Sequence, residues 1–204
     1  MQDKLKYLGF AVLAFLLVAV PYAYHSEQRS RSRNFRVVTP GALYRCGQLN
    51  RAGLDKVVHD YGFRTIVTFR DHDGIDETYS TWEEEYCRDK RIVFVRIPIR
   101  NWYAWEGPPP AEETVQEFID VIADSKHYPR PILMHCYAGV HRTGALAAIY
   151  RMEFERWTNE EAIHEMERQG YTDRHIDIQW FLENYQPTWR RSGTKSETVL
   201  HPAP

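Results

Sequence analysis

Residues 131–150 read PILMHCYAGVHRTGALAAIY, and much of the architecture can be worked out from them. The apolar residues before His135 favour a buried strand, and the apolar run that starts at Gly144 favours a helix. Cys136 therefore lies where a strand ends, and Arg142 lies where a helix begins. A short loop between two such elements can point its backbone N–H groups at one anion, with the cysteine sulfur at its base.

This loop has the chemistry of a nucleophile held inside an anion-binding nest. Cysteine attacks phosphorus as the thiolate, and a position just before a helix favours that form through the helix dipole. The backbone donors that favour the thiolate would also hold the phosphoryl oxygens of a substrate. The predicted phosphate-binding residues are those that follow the sulfur: Tyr137, Ala138, Gly139, Val140, His141 and Arg142.

The side chains around the nest have separate predicted roles. Arg142 is the second catalytic candidate after Cys136, because its planar guanidinium can pair with two phosphoryl oxygens. Thr143 can donate its hydroxyl to the sulfur and stabilise it as a leaving group. His135 is expected to hydrogen-bond to the backbone beneath the loop and to hold its shape. Gly139 supports a backbone conformation that most side chains resist.

The motif His135-Cys136, five residues, Arg142-Thr143 resembles the signature loop of the cysteine-dependent protein-tyrosine and dual-specificity phosphatases. Two further runs, NFRVV at residues 34–38 and LYRCGQ at residues 43–48, resemble the opening of the atypical (plant-and-fungal type) dual-specificity phosphatases and their bacterial relatives. The likeness covers residues 34–185. Those relatives usually carry serine where this chain has Cys46, so the resemblance implies no catalytic role for Cys46.

The resemblance also implies a general acid, usually an aspartate on a loop some thirty to thirty-five residues before the cysteine. Here that loop reads RNWYAWEGPPP at residues 100–110 and contains no aspartate. Glu106, which precedes Cys136 by 136 − 106 = 30 positions, is the candidate catalytic acid. Asp71 and Asp73, which follow a predicted strand, are alternatives, and a substrate with a good leaving group would need no acid.

Length and composition fit one globular domain and argue against several classes of protein. The chain has 204 residues, of which 43% are hydrophobic and 26% are charged, and its net charge is -2. That charge gives no general attraction for nucleic acid. The three cysteines and nine histidines show no paired or metal-ligand spacing, so we expect no disulfide framework, no metal site and no cofactor.

The N-terminus, residues 1–24, contains an apolar segment at residues 7–24 that is about the minimum length of a membrane-spanning helix. We therefore predict a single-pass membrane anchor, with a cleaved signal peptide as the alternative. The balance of basic residues slightly favours a cytoplasmic catalytic domain. The other predicted segments are a linker over residues 25–34, a phosphatase domain over residues 35–185 and a disordered tail over residues 186–204.

Apolar spacing along the domain predicts alternating strands and helices. The predicted strands lie at residues 65–69, 92–97 and 131–135, and predicted helices include residues 54–61, residues 142–157 and one that begins with a capping box at residues 158–161. Such alternation is typical of an α/β fold with a mainly parallel central sheet and helices on both faces. Cys136 then lies at the carboxyl end of the sheet.

These observations predict an enzyme that hydrolyses phosphate monoesters through a phosphocysteine intermediate. Its substrates would be proteins phosphorylated on tyrosine, serine or threonine, or small molecules such as inositol phosphates. One alternative is a pseudophosphatase that binds phosphorylated partners without turnover, since the usual aspartate is absent. Another is an arsenate-reducing or sulfur-transfer enzyme, for which Cys46 is the one thiol considered as a resolving group.

Overall fold

The structure of the chain, a computed structural model, describes residues 15, 17–22, 26–28, 31–70, 77–172 and 176–194, without the side chains of residues 77–81 and 192–194. The strands are β1 (Arg36–Thr39), β2 (Leu43–Gly47), β3 (Thr65–Thr68), β4 (Val93–Arg96) and β5 (Ile132–Cys136). The helices after β1 are α1 (Arg51–Tyr61), α2 (Glu77–Lys90), α3 (Ala111–Ala123), α4 (His141–Phe154), α5 (Asn159–Arg168), α6 (Ile176–Asn184) and α7 (Thr188–Thr194).

The strands form one sheet in the order β1-β2-β5-β3-β4. β1 pairs antiparallel with β2, whereas the three other pairs are parallel. Parallel neighbours need crossover connections, and α1, α2 and α3 supply them between β2, β3, β4 and β5. The α/β fold predicted from the sequence is therefore confirmed, as a mixed sheet with an antiparallel strand at one edge.

Helices cover both faces of this sheet. α3 to α6 pack on one face, where Met134 and Leu146 are fully buried. α1 and α2 pack on the other face, around Leu54 and Leu133. β5 lies in the middle of the sheet, and its side chains alternate between the two clusters, so that Cys136 points toward the α3–α6 face. Burial on both faces explains why β5 reads as a continuous apolar run.

Local sequence features set the two ends of α1 and the start of α5. Asn50 caps α1 by accepting a hydrogen bond from the Gly53 N–H at 2.8 Å, and α1 ends at Gly62 with a φ of +67°. Thr158 caps α5 by accepting from the Glu161 N–H, while the Glu161 carboxylate accepts from the Thr158 N–H. The capping box predicted at residues 158–161 is confirmed.

The structure gives no support to the membrane anchor that was predicted at the N-terminus. Within the described residues, no helix combines the length and the apolar character that crossing a bilayer demands. Of this segment, the structure describes residue 15 and residues 17–22. The predicted single-pass anchor, and with it the membrane localisation and cytoplasmic placement, is wrong on this finding. Residues 1–14, 16 and 23–25 lie outside the described residues.

Contacts extend beyond both boundaries that were predicted for the domain. Asn34, predicted to lie in the linker, donates from Nδ2 to the Ala138 carbonyl at 2.8 Å. α7 forms where a disordered tail was predicted, and the Trp189 indole N–H donates to the Met152 carbonyl at 2.8 Å. One aromatic anchor in a polar segment gives no periodic pattern, which is why the sequence did not predict this helix. Residues 195–204 lie outside the described residues.

Candidate active site

The predicted nucleophile lies at the carboxyl end of the central strand. Cys136 is the last residue of β5, and its register partner on β2 is Gly47. Its side chain is largely buried and lines a cavity. The Gly139 N–H donates to the Cys136 Sγ at 3.2 Å, and the Thr143 Oγ1 lies 3.8 Å from the same sulfur. The contact predicted between Thr143 and the sulfur is therefore present.

Cys136 and Arg142 line the same cavity, which has a volume of about 460 Å³. Its walls come from the loop after β5, from residues 99–102 after β4, and from residues 177–178 at the start of α6. The Arg142 Nη1 donates to the Phe69 carbonyl at 3.2 Å, which holds the guanidinium beside the end of β3. Two of the predicted catalytic residues are thus brought together at the carboxyl edge of the sheet.

A larger cavity, of about 800 Å³, lies between α5 and α6 and has the opposite electrostatic character. Its lining includes the carboxylates of Glu160, Glu161, Glu167 and Glu183. Such a surface repels a phosphate group. Phosphate chemistry is therefore assigned to the cavity that contains Cys136.

The cradle loop, defined as residues 136–142, is held against the end of β2 by close backbone contacts. Gly139 has a φ of +75°, and a Cβ at this position would lie 2.2 Å from the backbone nitrogen of Gly47 and 2.4 Å from the carbonyl carbon of Cys46. The Gln48 N–H donates to the Tyr137 carbonyl at 3.0 Å. Since only glycine fits such an approach at this φ, the LYRCGQ run and the cradle loop form one unit.

His135 lies beneath the cradle loop, and it faces a carboxylate rather than the backbone group that the sequence suggested. Its Nε2 is 3.1 Å from the Oε1 of Glu83 on α2, and both side chains are buried. The two groups form an ion pair when His135 is protonated. Burial raises the pKa of the Glu83 carboxyl, but His135, Gln48 and Arg96 outweigh burial and hold that pKa below its usual value.

Arg45 is a component of the site that the sequence analysis missed. It is 1% exposed on β2, and within the described part of the chain neither its Nε nor its Nη2 has a hydrogen-bond partner. Burial and the like charge of Arg36 lower the pKa of this guanidinium to about 10, while Glu165 and Cys136 act in the opposite direction. Because this pKa stays above neutrality, Arg45 keeps a positive charge, which interacts electrostatically with Cys136.

The carboxylates considered as general acids lie in different places. Glu106 is exposed in the loop between β4 and α3 and is not among the residues that line the cavity, so its role stays a prediction. Asp71 and Asp73 lie outside the described residues. Among the described residues that line the cavity, the carboxylate belongs to Asp177, in the first turn of α6. Asp177 belongs to none of the motifs that the sequence contains.

The two other cysteines are buried away from the cavity. Cys46 packs in the cluster on the α1–α2 face, opposite to the side chain of Cys136. Burial, with Glu83 and Cys136 nearby, raises the pKa of the Cys46 thiol well above its usual value. Burial together with Glu83 and Glu84 raises the pKa of Cys87 to about 12. Neither thiol has the reactivity that a resolving cysteine needs, which disfavours the arsenate-reducing alternative.

Comparisons with known proteins agree with this geometry. A family model described as a DSP-PTPase phosphatase fused to NAD+ kinase matches residues 18–184. The probable chloroplastic NAD kinase 2 of Oryza sativa subsp. japonica is 30% identical over 115 residues, which are 56% of this chain and 11% of that protein. The dual specificity protein phosphatase CDC14B of Mus musculus is 27% identical over 141 residues, 69% of this chain and 28% of that protein. The chain therefore spans less than a third of the length of either relative.

Solved structures show the same fold. The core catalytic domain of the PP-IP phosphatase SIW14 from S. cerevisiae has a TM-score of 0.61 at 18% identity, and the match covers 82% of this chain and 95% of that one. TpbA from P. aeruginosa, in complex with pTyr, has a TM-score of 0.60 at 20% identity, with 81% and 92% covered. Because the family model matches most of its length, this chain belongs to the family of DSP-PTPase phosphatases fused to NAD+ kinase, and the predicted membership of the cysteine-dependent dual-specificity phosphatases is confirmed.

Proposed function

We propose that this chain hydrolyses phosphate monoesters through a phosphocysteine intermediate formed on Cys136. The observation that carries the proposal is that Cys136 and Arg142 line one cavity at the carboxyl end of the parallel strands. The Gly139 N–H already points at the sulfur. A nucleophile at the base of a cavity, with a guanidinium and backbone donors around it, suits attack on a phosphoryl group.

In the first half of the proposed reaction, the Cys136 thiolate attacks phosphorus, and the bond between phosphorus and the leaving oxygen breaks. Arg142 and the N–H groups of the cradle loop hold the non-bridging oxygens, where negative charge must be stabilised. A carboxyl group protonates the leaving oxygen, and Glu106 is the donor predicted from the sequence. In the second half, water attacks phosphorus, and Thr143, 3.8 Å from the sulfur, stabilises the departing thiolate.

A second candidate class of substrate carries more than one phosphate. The guanidinium of Arg33 lies 4.1 Å from the ring centroid of Tyr137, and that of Arg70 lies 5.6 Å from it. These two cations beside the cradle loop supply positive charge for a further phosphate at the rim of the cavity. The description of SIW14 as a PP-IP phosphatase supports this class, whereas the TpbA complex with pTyr supports phosphotyrosine.

Phosphate release from p-nitrophenyl phosphate tests the proposed reaction. We expect the wild type to hydrolyse p-nitrophenyl phosphate. The rate of phosphate release should fall by about 10³-fold or more in Cys136→Ser, because the nucleophile is gone. Cys87→Ala is the matched control, since this thiol is buried on the opposite face of the sheet and should be dispensable. Unchanged turnover in Cys136→Ser would contradict the proposal, and tight phosphopeptide binding without release would indicate a pseudophosphatase.

A panel of phosphopeptides and inositol diphosphates then separates the two substrate classes. If the arginines at the rim bind a second phosphate, Arg33→Met should raise KM for inositol diphosphates and leave KM for p-nitrophenyl phosphate unchanged. Arg156→Met, a change two residues after the end of α4 and beside the Trp189 ring, serves as the control for a general loss of positive charge. Equal effects of Arg33→Met on both substrates would argue against a second phosphate at this rim.

A further inference from the structure

We propose that Asp177 is the proton donor to the leaving oxygen and the base that then activates water, an inference that rests on the proposed function. Asp177 lies in the first turn of α6 and lines the cavity that contains Cys136. It comes 177 − 136 = 41 positions after the cysteine, whereas Glu106 comes before it. The carboxylate in the cavity is therefore supplied by a different element from the one that the sequence suggested.

The packing of α6 holds Asp177 at the wall of the cavity. Ile178 and Phe181 are buried in the core, and the Phe181 ring packs edge-on against Trp102 with the ring centroids 5.1 Å apart. Trp102 and Ile178 both line the cavity beside Asp177. Residues four positions apart share a helix face, so the contact of Phe181 with Trp102 turns Asp177 toward the same loop. A rigid aromatic contact thus fixes the position of the carboxylate.

The ionisable groups that share the cavity with Asp177 come from two other segments. They are Cys136, Tyr137, His141 and Arg142 of the cradle loop and Arg100 after β4. Within the described part of the chain, the Asp177 carboxylate forms no hydrogen bond or ion pair. A carboxyl group that is not engaged by the protein is available to a substrate oxygen.

Arg100, a cation that lines the same cavity, has partners of its own. The Arg100 Nε is 2.9 Å from the Oε2 of Glu113, and its Nη1 is 3.1 Å from the Oε1 of Glu117. Arg142 is turned toward the Phe69 carbonyl. Because the guanidinium groups of Arg100 and Arg142 bind other partners, neither forms an ion pair with the Asp177 carboxylate.

The rival groups in this part of the site are less suited to proton transfer. Asn101 lines the cavity, but an amide does not donate its proton usefully to a leaving oxygen. Glu106 has an exposed side chain and does not line the cavity. The geometry therefore favours Asp177 over the donor that the sequence predicted.

The proposed proton transfers balance over the two halves of the reaction. As the Sγ–P bond forms and the bond from phosphorus to the leaving oxygen breaks, the Asp177 carboxyl gives its proton to that oxygen. The resulting carboxylate takes a proton from the attacking water as the Sγ–P bond breaks. The products are inorganic phosphate, the protonated leaving group, a thiolate at Cys136 and a carboxyl group at Asp177.

The dependence of kcat/KM on the leaving group, measured with the full chain, tests this inference. Asp177→Asn should lower kcat/KM for phenyl phosphate, whose leaving group needs a proton, by about 10²–10⁴-fold. Turnover of dinitrophenyl phosphate, whose phenolate departs unprotonated, should stay close to that of the wild type. Asp177→Glu should recover part of the loss. The control is Glu183→Gln, the same kind of change at an exposed position of α6, which should affect neither ester.

An equal loss for both esters in Asp177→Asn would overturn the inference, because a structural role would slow every substrate alike. Unchanged hydrolysis of phenyl phosphate in Asp177→Asn, or a selective loss in Glu106→Gln instead, would overturn it as well. If the wild type hydrolyses neither ester, or if Cys136→Ser hydrolyses both normally, the proposed function itself fails. If the wild type is active and Cys136→Ser is inactive, the proposed function stands. Asp177→Asn acting equally on phenyl phosphate and dinitrophenyl phosphate would then count against the role of Asp177 alone.

Discussion

Gly139 is the residue whose backbone constrains the site most tightly. Its positive φ and its close approach to Gly47 leave no space for a methyl group. Any larger residue must move the cradle loop away from β2, and the Gly139 N–H would then lose its contact with the Cys136 Sγ. The placement of one donor at the sulfur therefore depends on the absence of one side chain.

We expect Gly139→Ala to lower kcat/KM for p-nitrophenyl phosphate by about 100-fold, because a misplacement of roughly 1 Å in a preorganised site has an effect of this size. Gly62→Ala is the matched control, since Gly62 also has a positive φ but nothing lies within 4 Å of a Cβ built there. That variant should lose about 1 kcal/mol of unfolding free energy and keep its activity. Steady-state kinetics and urea denaturation measure both effects, and a fully active Gly139→Ala would contradict the expectation.

The sequence predicted the site residues that lie close together along the chain. Cys136, Arg142 and Thr143 fall within eight consecutive positions, so their type and spacing were sufficient. Asp177 reaches the same cavity only through the packing of α6 on residues 99–102, and no local pattern contains that contact. Arg45 was not predicted for a related reason. Buried strands are identified by a run of apolar residues, and a buried arginine interrupts such a run.

At the scale of elements, the contact of α2 with β5 supports the cradle loop from below. Glu83 of α2 and His135 of β5 meet on the side of the sheet away from the Cys136 side chain. Both side chains are buried, so the charge of the Glu83 carboxylate is screened little by water. The pKa of Glu83 is held below its usual value in the folded state, which links the stability of this contact to pH.

We expect Glu83→Gln to change how stability depends on pH. A carboxyl group whose pKa is depressed by folding contributes stability fully above its unfolded pKa, about 4.3, and that contribution is lost as pH falls toward the lower folded pKa. The variant should therefore be less stable by about 3 kcal/mol at neutral pH, and the difference should shrink below about pH 4.3. Urea denaturation across this range measures it. Parallel curves for the two proteins would show that Glu83 has no linked proton.

Whether a strand could be predicted depended on the pattern of apolar residues in its sequence. The strands β3, β4 and β5 were predicted within about two residues, since each is an apolar run bounded by polar residues. β2 was not predicted as a strand, because LYRCG places an arginine and a glycine among buried positions. β1 is a four-residue antiparallel edge strand with two exposed positions, which leaves no alternation to detect.

For the whole molecule, the chain after α6 closes the end of the domain that lies away from the cavity. The Trp189 indole N–H donates to the Met152 carbonyl at 2.8 Å, and the Thr188 hydroxyl donates to Glu153 Oε2 at 2.7 Å. The Tyr185 hydroxyl donates to Glu153 as well. Met152 lies 152 − 141 = 11 residues into α4, roughly 16 Å from its start. This closure therefore concerns stability rather than chemistry.

We expect Trp189→Ala to lower the free energy of unfolding by about 2 kcal/mol, because it removes a half-buried ring and leaves the Met152 carbonyl without its donor. Its kcat/KM should equal that of the wild type. Trp105→Ala is the control for stability, since Trp105 is 91% exposed and should be neutral. If Trp189→Ala were as stable as the wild type, the contacts of α7 would have no part in holding the domain together.

The most direct measurement of a phosphoryl transfer through Cys136 is mass spectrometry of the enzyme quenched with acid during turnover. The Cys136 sulfur, the Gly139 N–H and Arg142 converge on one cavity, so the peptide that contains Cys136 should carry one phosphoryl group. The adduct should be absent from Cys136→Ser and from enzyme quenched without substrate. Continued turnover with no phosphoryl group on sulfur, or with the group on another residue, would contradict covalent catalysis by Cys136.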